Sequence, residues 1–185
     1  MAQVRRRAGA VQVTLTGEEA SALAALAAQV AMMLAEDGPD SPAGEVDPLE
    51  EMVGLQSGPV AAPADPALRR LLPDAYADEA AAGEFRRLMD SELRQLKTAA
   101  LDEVRGAVEG SAESAVKLRL SPEQAEQWLQ ALTDIRLVLG TRLDVTEDLE
   151  DRWAQLGPED PMAPLMAAYE WLGWLQESVV LALDD

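Results

Sequence analysis

Val11-Gln-Val-Thr-Leu-Thr-Gly-Glu-Glu-Ala20 is matched without a gap by Val116-Lys-Leu-Arg-Leu-Ser-Pro-Glu-Gln-Ala125, at an offset of 105 positions (116 minus 11). Val11, Val13 and Leu15 in one stretch, and Val116, Leu118 and Leu120 in the other, alternate with polar residues. A two-residue period puts those side chains on one face of a strand. Thr16-x-x-Glu19 and Ser121-x-x-Gln124 then have the spacing of a capping box, in which the hydroxyl accepts from the N–H three residues on and the Glu or Gln reaches back to the N–H of the cap. Pro122 falls at the first helical position, where no N–H is needed. Each stretch therefore predicts a strand feeding a capped helix, one unit used twice. Strands this short are not stable alone in water, so the two are expected to pair as a two-stranded ribbon on a helical body. An open ribbon edge would accept a strand from a second copy, which makes a homodimer the alternative arrangement.

Outward from these units the helical period dominates. Leu23, Leu26, Ala27, Val30 and Met33 mark one face of a helix running to about Glu36. Residues 37–65 are rich in Pro, Gly, Ala and acid and read as a disordered linker, interrupted by the short-helix signals of Asp47 to Gly54. Pro66 to Leu72 predicts a short helix and Asp78 to Glu109 the longest one. On the long helix Phe85, Leu88, Met89, Leu96, Ala99 and Ala100 form the apolar side, with Arg87, Arg94 and Arg105 together opposite. The second capped helix presents Trp128, Leu129, Leu132, Ile135 and Leu139 and is expected to stop at Gly140. Thr146 is expected to cap a polar helix through Leu156. Pro161 to Leu183 is apolar nearly all round, as in a helix covered by others. The fold class is mainly α: a bundle-like domain over residues 9–183 with a small two-stranded ribbon, after a flexible basic end at residues 1–8.

Composition narrows the function. The chain has 185 residues, of which 48% are hydrophobic, enough for one domain with a real core. Its 34 acidic and 15 basic residues give a net charge of −19, which repels phosphate polymers and anionic membranes at long range. Any contact with nucleic acid has to be local. With no Cys and no His, disulfide frameworks, thiolate sites, the usual zinc sites and Ser–His chemistry are excluded. Neither a Gly-rich phosphate loop nor a Glu-x-x-His pattern is present, so a non-enzyme without metal or organic cofactor is expected. A carboxylate-only hydrolase is the remaining enzymatic reading, and nothing singles out its two residues. The N-terminal residues lack the apolar run of a signal peptide, and the apolar C-terminal stretch carries Glu170, Gln176 and Glu177. A cytoplasmic protein without a membrane span follows as the expectation.

Four groups of charges carry candidate sites. Arg5-Arg6-Arg7 on a flexible end would reach DNA phosphates, and the same residues would serve equally as a solubilising tail. Arg87, Arg94 and Arg105 would form a phosphate-tracking helix face, against which stand the flanking Glu84, Asp90 and Asp102 of an ordinary solvated helix. Asp144, Thr146, Glu147, Asp148, Glu150 and Asp151 concentrate oxygen ligands but lack the order of a calcium loop, and acids at a helix N-terminus account for them. Arg136 falls within an apolar stripe, where a buried guanidinium needs a carboxylate. Glu170 and Glu177, one heptad apart on the last helix, are its expected ion-pair partners; the alternative is an Arg that snorkels from the rim.

Leu72-Pro-Asp-Ala-Tyr76, Phe85-Arg-Arg-Leu88, Trp128-Leu129 with Asp134-Ile-Arg-Leu-Val-Leu-Gly-Thr-Arg-Leu-Asp-Val145, and Tyr169-Glu-Trp-Leu-Gly-Trp-Leu-Gln-Glu177 resemble an actinobacterial family, AosR-like, catalogued as a domain of unknown function and often encoded beside the ClpS adaptor. The resemblance implies a non-enzymatic, DNA-binding transcriptional regulator responsive to oxidative stress. A protein-interaction module tied to the ClpS/Clp proteolytic system is the alternative, with a protein partner in place of DNA. Redox sensing in the family is attributed to cysteines; this chain has none, so no disulfide switch operates within it.

Overall fold

Ala8 and Gly9 adopt positive φ values of 51° and 72°, and this two-residue turn folds the first residues back on the strand that follows. Such a turn matches the right-handed twist of antiparallel strands. In the computed structural model, which describes residues 2–36, 60–109, 115–146, 157 and 159–184, the result is a hairpin of β1 (Gln3–Arg7) and β2 (Ala10–Leu15). The second strand unit, β3 (Val116–Leu120), pairs antiparallel with β2, so the order is β1-β2-β3. The expected two-stranded ribbon is thus a three-stranded sheet, and residues 3–7 are a strand rather than a flexible end. Two side chains fix that strand. Glu19 Oε1 accepts from the Ala2 N–H at 2.9 Å, and Arg6 Nη1 donates to the Leu183 carbonyl at 2.6 Å.

Both capping boxes form as expected. Thr16 Oγ1 accepts from the Glu19 N–H at 3.2 Å while Glu19 Oε2 accepts from the Thr16 N–H at 2.8 Å. Ser121 and Gln124 make the same reciprocal pair. They start α1 (Gly17–Glu36) and the helix Pro122–Arg142. Between these lie α2 (Pro66–Leu71), capped by Asp65, and α3 (Glu79–Val108), capped by Asp78; Pro122–Arg142 is therefore α4, and α5 (Ala163–Asp184) follows. The α4 helix passes Gly140, where a Cβ would sit 3.4 Å from the Tyr169 ring, and ends at Arg142. The short helices expected at Asp47 to Gly54 and after Thr146 lie outside the described residues.

The two strand–helix units have different surroundings: α1 lies on α3, whereas α4 is central and touches α2, α3 and α5. They are not interchangeable copies. A single core joins sheet and helices around the fully buried Trp128, with Leu23, Leu101, Leu132, Ile135 and Leu172 equally enclosed. Each such side chain contributes roughly 1.5–3 kcal/mol relative to exposure. By length and composition alone α1 is apolar enough to cross a membrane, a test that a core helix also passes. Its Ala20, Leu23, Ala27, Val30 and Leu34 are in the core.

Two faces differ from the expected ones. On α3, Ala100 of the expected side is buried, but Leu88 and Leu96 are 64% and 57% exposed, and the helix also buries Ala82, Arg86, Arg94, Leu101, Val104 and Val108. The heptad Arg87–Arg94–Leu101–Val108 runs from surface to core, so a wheel averaged over the whole helix misplaces its buried side. Nor is α5 covered all round: Leu165, Trp174, Val180 and Leu181 remain exposed.

Candidate nucleic-acid interface and an arginine cleft

The register sorts the basic residues of the sheet. Arg5 lies opposite Gln12 and Gln12 opposite Arg119, while Gln3, Thr14 and Lys117 form the next row. These are the positions that alternate with the buried Val11, Val13 and Leu15, so all share the outer face. Arg5, Arg7, Lys117 and Arg119 are exposed on it, interleaved with Gln and Thr and with no acid among the strand residues of that face. Arg5 Nε donates to Gln12 Oε1 at 3.4 Å, and Arg119 Nη2 donates to the Ala8 carbonyl at 3.2 Å. The triplet Arg5–Arg7 is therefore split. Arg5 and Arg7 face outward; Arg6, on the inner side, supplies a cation to the C-terminal carbonyl end of α5, where the helix dipole favours one.

The helix arginines are not gathered into a free stripe. Arg87 pairs with Glu84 at 2.9 Å and Arg105 with Asp102 at 3.0 Å, both within α3. Arg94 is buried; its Nε pairs with Asp90 at 2.5 Å and its Nη1 donates to the Leu34 carbonyl at 2.7 Å. It thereby supplies the last turn of α1 with the cation that α1 itself lacks. Arg86, which sequence reasoning did not single out, is buried as well, bonded to Asp74, Glu79 and the Val60 carbonyl. Burial would lower its pKa, but the hydrogen bonds to Glu79 and Asp74 outweigh that and raise it.

A buried ion pair does exist, at residues that were not expected. Lys97 Nζ on α3 meets Asp134 Oδ1 on α4 at 2.6 Å, with Asp134 only 2% exposed. The other carboxylate oxygen, Oδ2, is buried without a partner. Burial pushes the Asp134 pKa up, and Lys97 opposes it without cancelling it. The pair lies on a groove of about 520 Å³ that Leu71, Leu93, Leu129 and Leu137 also line.

Arg136 projects from α4 toward α5, but not to the expected carboxylates. Glu170 and Glu177 are exposed, and neither pairs with it. Nη1 donates to Gln176 Oε1 at 2.8 Å, Nη2 is 3.5 Å from the Tyr169 hydroxyl, and the guanidinium carbon stands 4.9 Å from the Tyr169 ring centre. Gly173 makes room: a Cβ there would sit 3.4 Å from Arg136 Nη2. Gln176 in turn donates to Thr133 Oγ1 at 2.8 Å, which fixes the amide that holds Arg136. The guanidinium borders a cleft of about 290 Å³ lined also by Arg70, Asp144 and Tyr169. Of the oxygen cluster at 144–151, most falls outside the described residues, and among the described residues no group of three or more acidic side chains is placed to hold a metal ion.

The chain matches the family described as Domain of unknown function (DUF2017) over residues 1–183. It is 31% identical over 184 residues to the oxidative stress regulator AosR of Mycobacterium tuberculosis, covering 92% of this chain and 80% of that protein, and stands in the same relation to the protein of that name in Mycobacterium bovis. A putative oxidative stress regulator AosR of Mycobacterium leprae is 32% identical over 152 residues, 75% of this chain and 67% of the relative. No solved structure gives a significant match.

Proposed function

The chain belongs to the DUF2017 family, and from that premise we propose that it is a cytoplasmic, non-catalytic oxidative-stress regulator that contacts DNA through the outer face of its sheet. The observation that carries the DNA contact is the acid-free row of Arg5, Arg7, Lys117 and Arg119 in a chain of net charge −19. Phosphate contacts by Lys and Arg dominate affinity for DNA, and a β-ribbon or sheet face fits a groove as a helix does. Gln3, Gln12 and Thr14 between the cations offer amide and hydroxyl groups to base edges or backbone. Long-range repulsion from the acidic body opposes these local contacts and would keep binding weak except on a preferred site. Because the chain has no Cys, the oxidative signal would reach it through a ligand or partner rather than through its own disulfide.

A salt-titrated DNA-binding assay on the full chain tests this. Neutralising about four phosphates gives a slope of log K on log salt of roughly −3 to −4. Arg5→Glu with Arg119→Glu should abolish binding and leave the fold intact. No binding at low salt, or a variant that binds like wild type, defeats the reading. The second reading is a protein-interaction module of the ClpS/Clp system, favoured by the exposed Leu88 and Leu96 on α3. A stoichiometric partner in a pull-down, lost in Leu88→Glu/Leu96→Glu and accompanied by no DNA shift, would select it.

A further inference from the structure

In an acid-rich chain a cation withdrawn from solvent and left without a carboxylate needs a reason. Arg86, Arg87, Arg94, Lys97, Arg105 and Arg142 each meet a carboxylate within ion-pair distance. Arg136 is half-buried and among the described residues meets none. Its hydrogen-bonding partners are neutral, the Gln176 amide and the Tyr169 hydroxyl, and its Nε is buried without any. Desolvating a guanidinium that keeps only neutral partners is unfavourable unless an anion arrives from outside. Arg70, on α2, lines the same cleft and is exposed, and it too has no carboxylate partner among the described residues.

We infer that the cleft between α2, α4 and α5 is a binding site for a small organic carboxylate, held by Arg136 and Arg70 against the Tyr169 ring. A guanidinium presents its donors in a fork that matches a carboxylate, and two guanidinia on one cleft select an anion. About 290 Å³ is room for a small molecule and not for a nucleic-acid strand. Leu137 and Val145 give the rest of the ligand apolar contact. The ligand would clamp α4 to α5 and to the end of α2. This inference does not depend on DNA binding, since the site is remote in kind from the sheet face and is assayed without DNA.

The test is calorimetric and NMR titration of the full chain with propionate, benzoate and inorganic phosphate in turn, at constant ionic strength. Saturable binding of a carboxylate is expected, with inorganic phosphate, which has no apolar part to meet Leu137 and Val145, at least about tenfold weaker and the Tyr169 ring resonances shifting. Arg136→Gln should lower carboxylate affinity at least about tenfold, and Arg70→Ala, at an exposed position, severalfold with an unchanged urea midpoint. If Arg136→Gln does not fold, Arg70→Ala decides. Linear, non-saturating responses, phosphate binding as tight as carboxylate, or an Arg70→Ala protein that binds like wild type would each overturn the assignment.

Discussion

Lys97→Met should destabilise the protein by about 3 kcal/mol at pH 7, because it leaves the Asp134 carboxylate in the core with neither oxygen paired. Asp134 is 2% exposed and Lys97 12% by side chain, so the stranded charge is left largely desolvated. For a domain of this size about 3 kcal/mol is a fall in Tm of roughly 6–12 °C, or a drop in urea midpoint of about 1–3 M. The loss should depend on pH with a definite sign. Burial already raises the folded-state pKa of Asp134 above 3.8, so the native state holds that proton more tightly than the unfolded chain. Stability linked to this group is present below the unfolded pKa and falls as pH rises through the window up to the folded value. Removing Lys97 takes away the one opposing influence, raises the folded pKa further and extends that fall to higher pH. The difference between Lys97→Met and wild type should therefore shrink as pH falls through the variant's raised folded pKa and Asp134 takes up its proton. Lys97→Met/Asp134→Leu should recover most of the loss or exceed wild type, since a well-packed apolar pair avoids both desolvation terms. A Lys97→Met cost under about 1 kcal/mol, or one that grows toward acid pH, would refute the buried-pair account.

Arg94→Ala should cost about 2–3 kcal/mol in urea melts, since it leaves Asp90 unpaired and removes the cation from the Leu34 carbonyl; a cost within about 0.5 kcal/mol, as for a surface Arg, would show that those bonds are not formed in solution. Glu19→Gln should cost about 1 kcal/mol and speed amide exchange across β1. Burial raises the Glu19 pKa, but hydrogen bonds from the Thr16 and Ala2 N–H groups and the Thr16 hydroxyl outweigh it, so the folded pKa is depressed. Its stabilisation is present above the unfolded pKa and is lost as pH falls through the folded one, so wild type and Glu19→Gln should converge in acid; unchanged β1 protection would separate the hairpin from the cap.

What could be read from the sequence was local chemistry, and what could not was the choice of face. Thr16/Glu19 and Ser121/Gln124 announce their helices because a capping box is a bond between residues three apart, independent of the rest of the molecule. The β2 and β3 strands were equally readable from alternation. β1 was missed because Gln3 to Arg7 carries only one apolar side chain, Val4, and Ala8-Gly9 is a weaker hairpin signal than Asn-Gly. What holds it is long-range, from Glu19 and Leu183, and no local pattern reports such contacts.

The arginines show the same limit at the site. A helical wheel places Arg94 with Arg87, yet one is buried at the end of α1 and the other lies in solvent, because α1 covers only part of α3. A wheel places Arg136 in an apolar stripe with a carboxylate partner, but the side chain is half-buried and the side of α5 that reaches it carries Gly173, Tyr169 and Gln176, with Glu170 and Glu177 turned to solvent. The missing counter-charge is informative only because the chain offers 34 acids. Where carboxylates are that abundant, a half-buried guanidinium left with neutral partners points outside the chain for its anion. A cationic sheet face left clear of acid points outside in the same way, toward a polyanion rather than a small molecule.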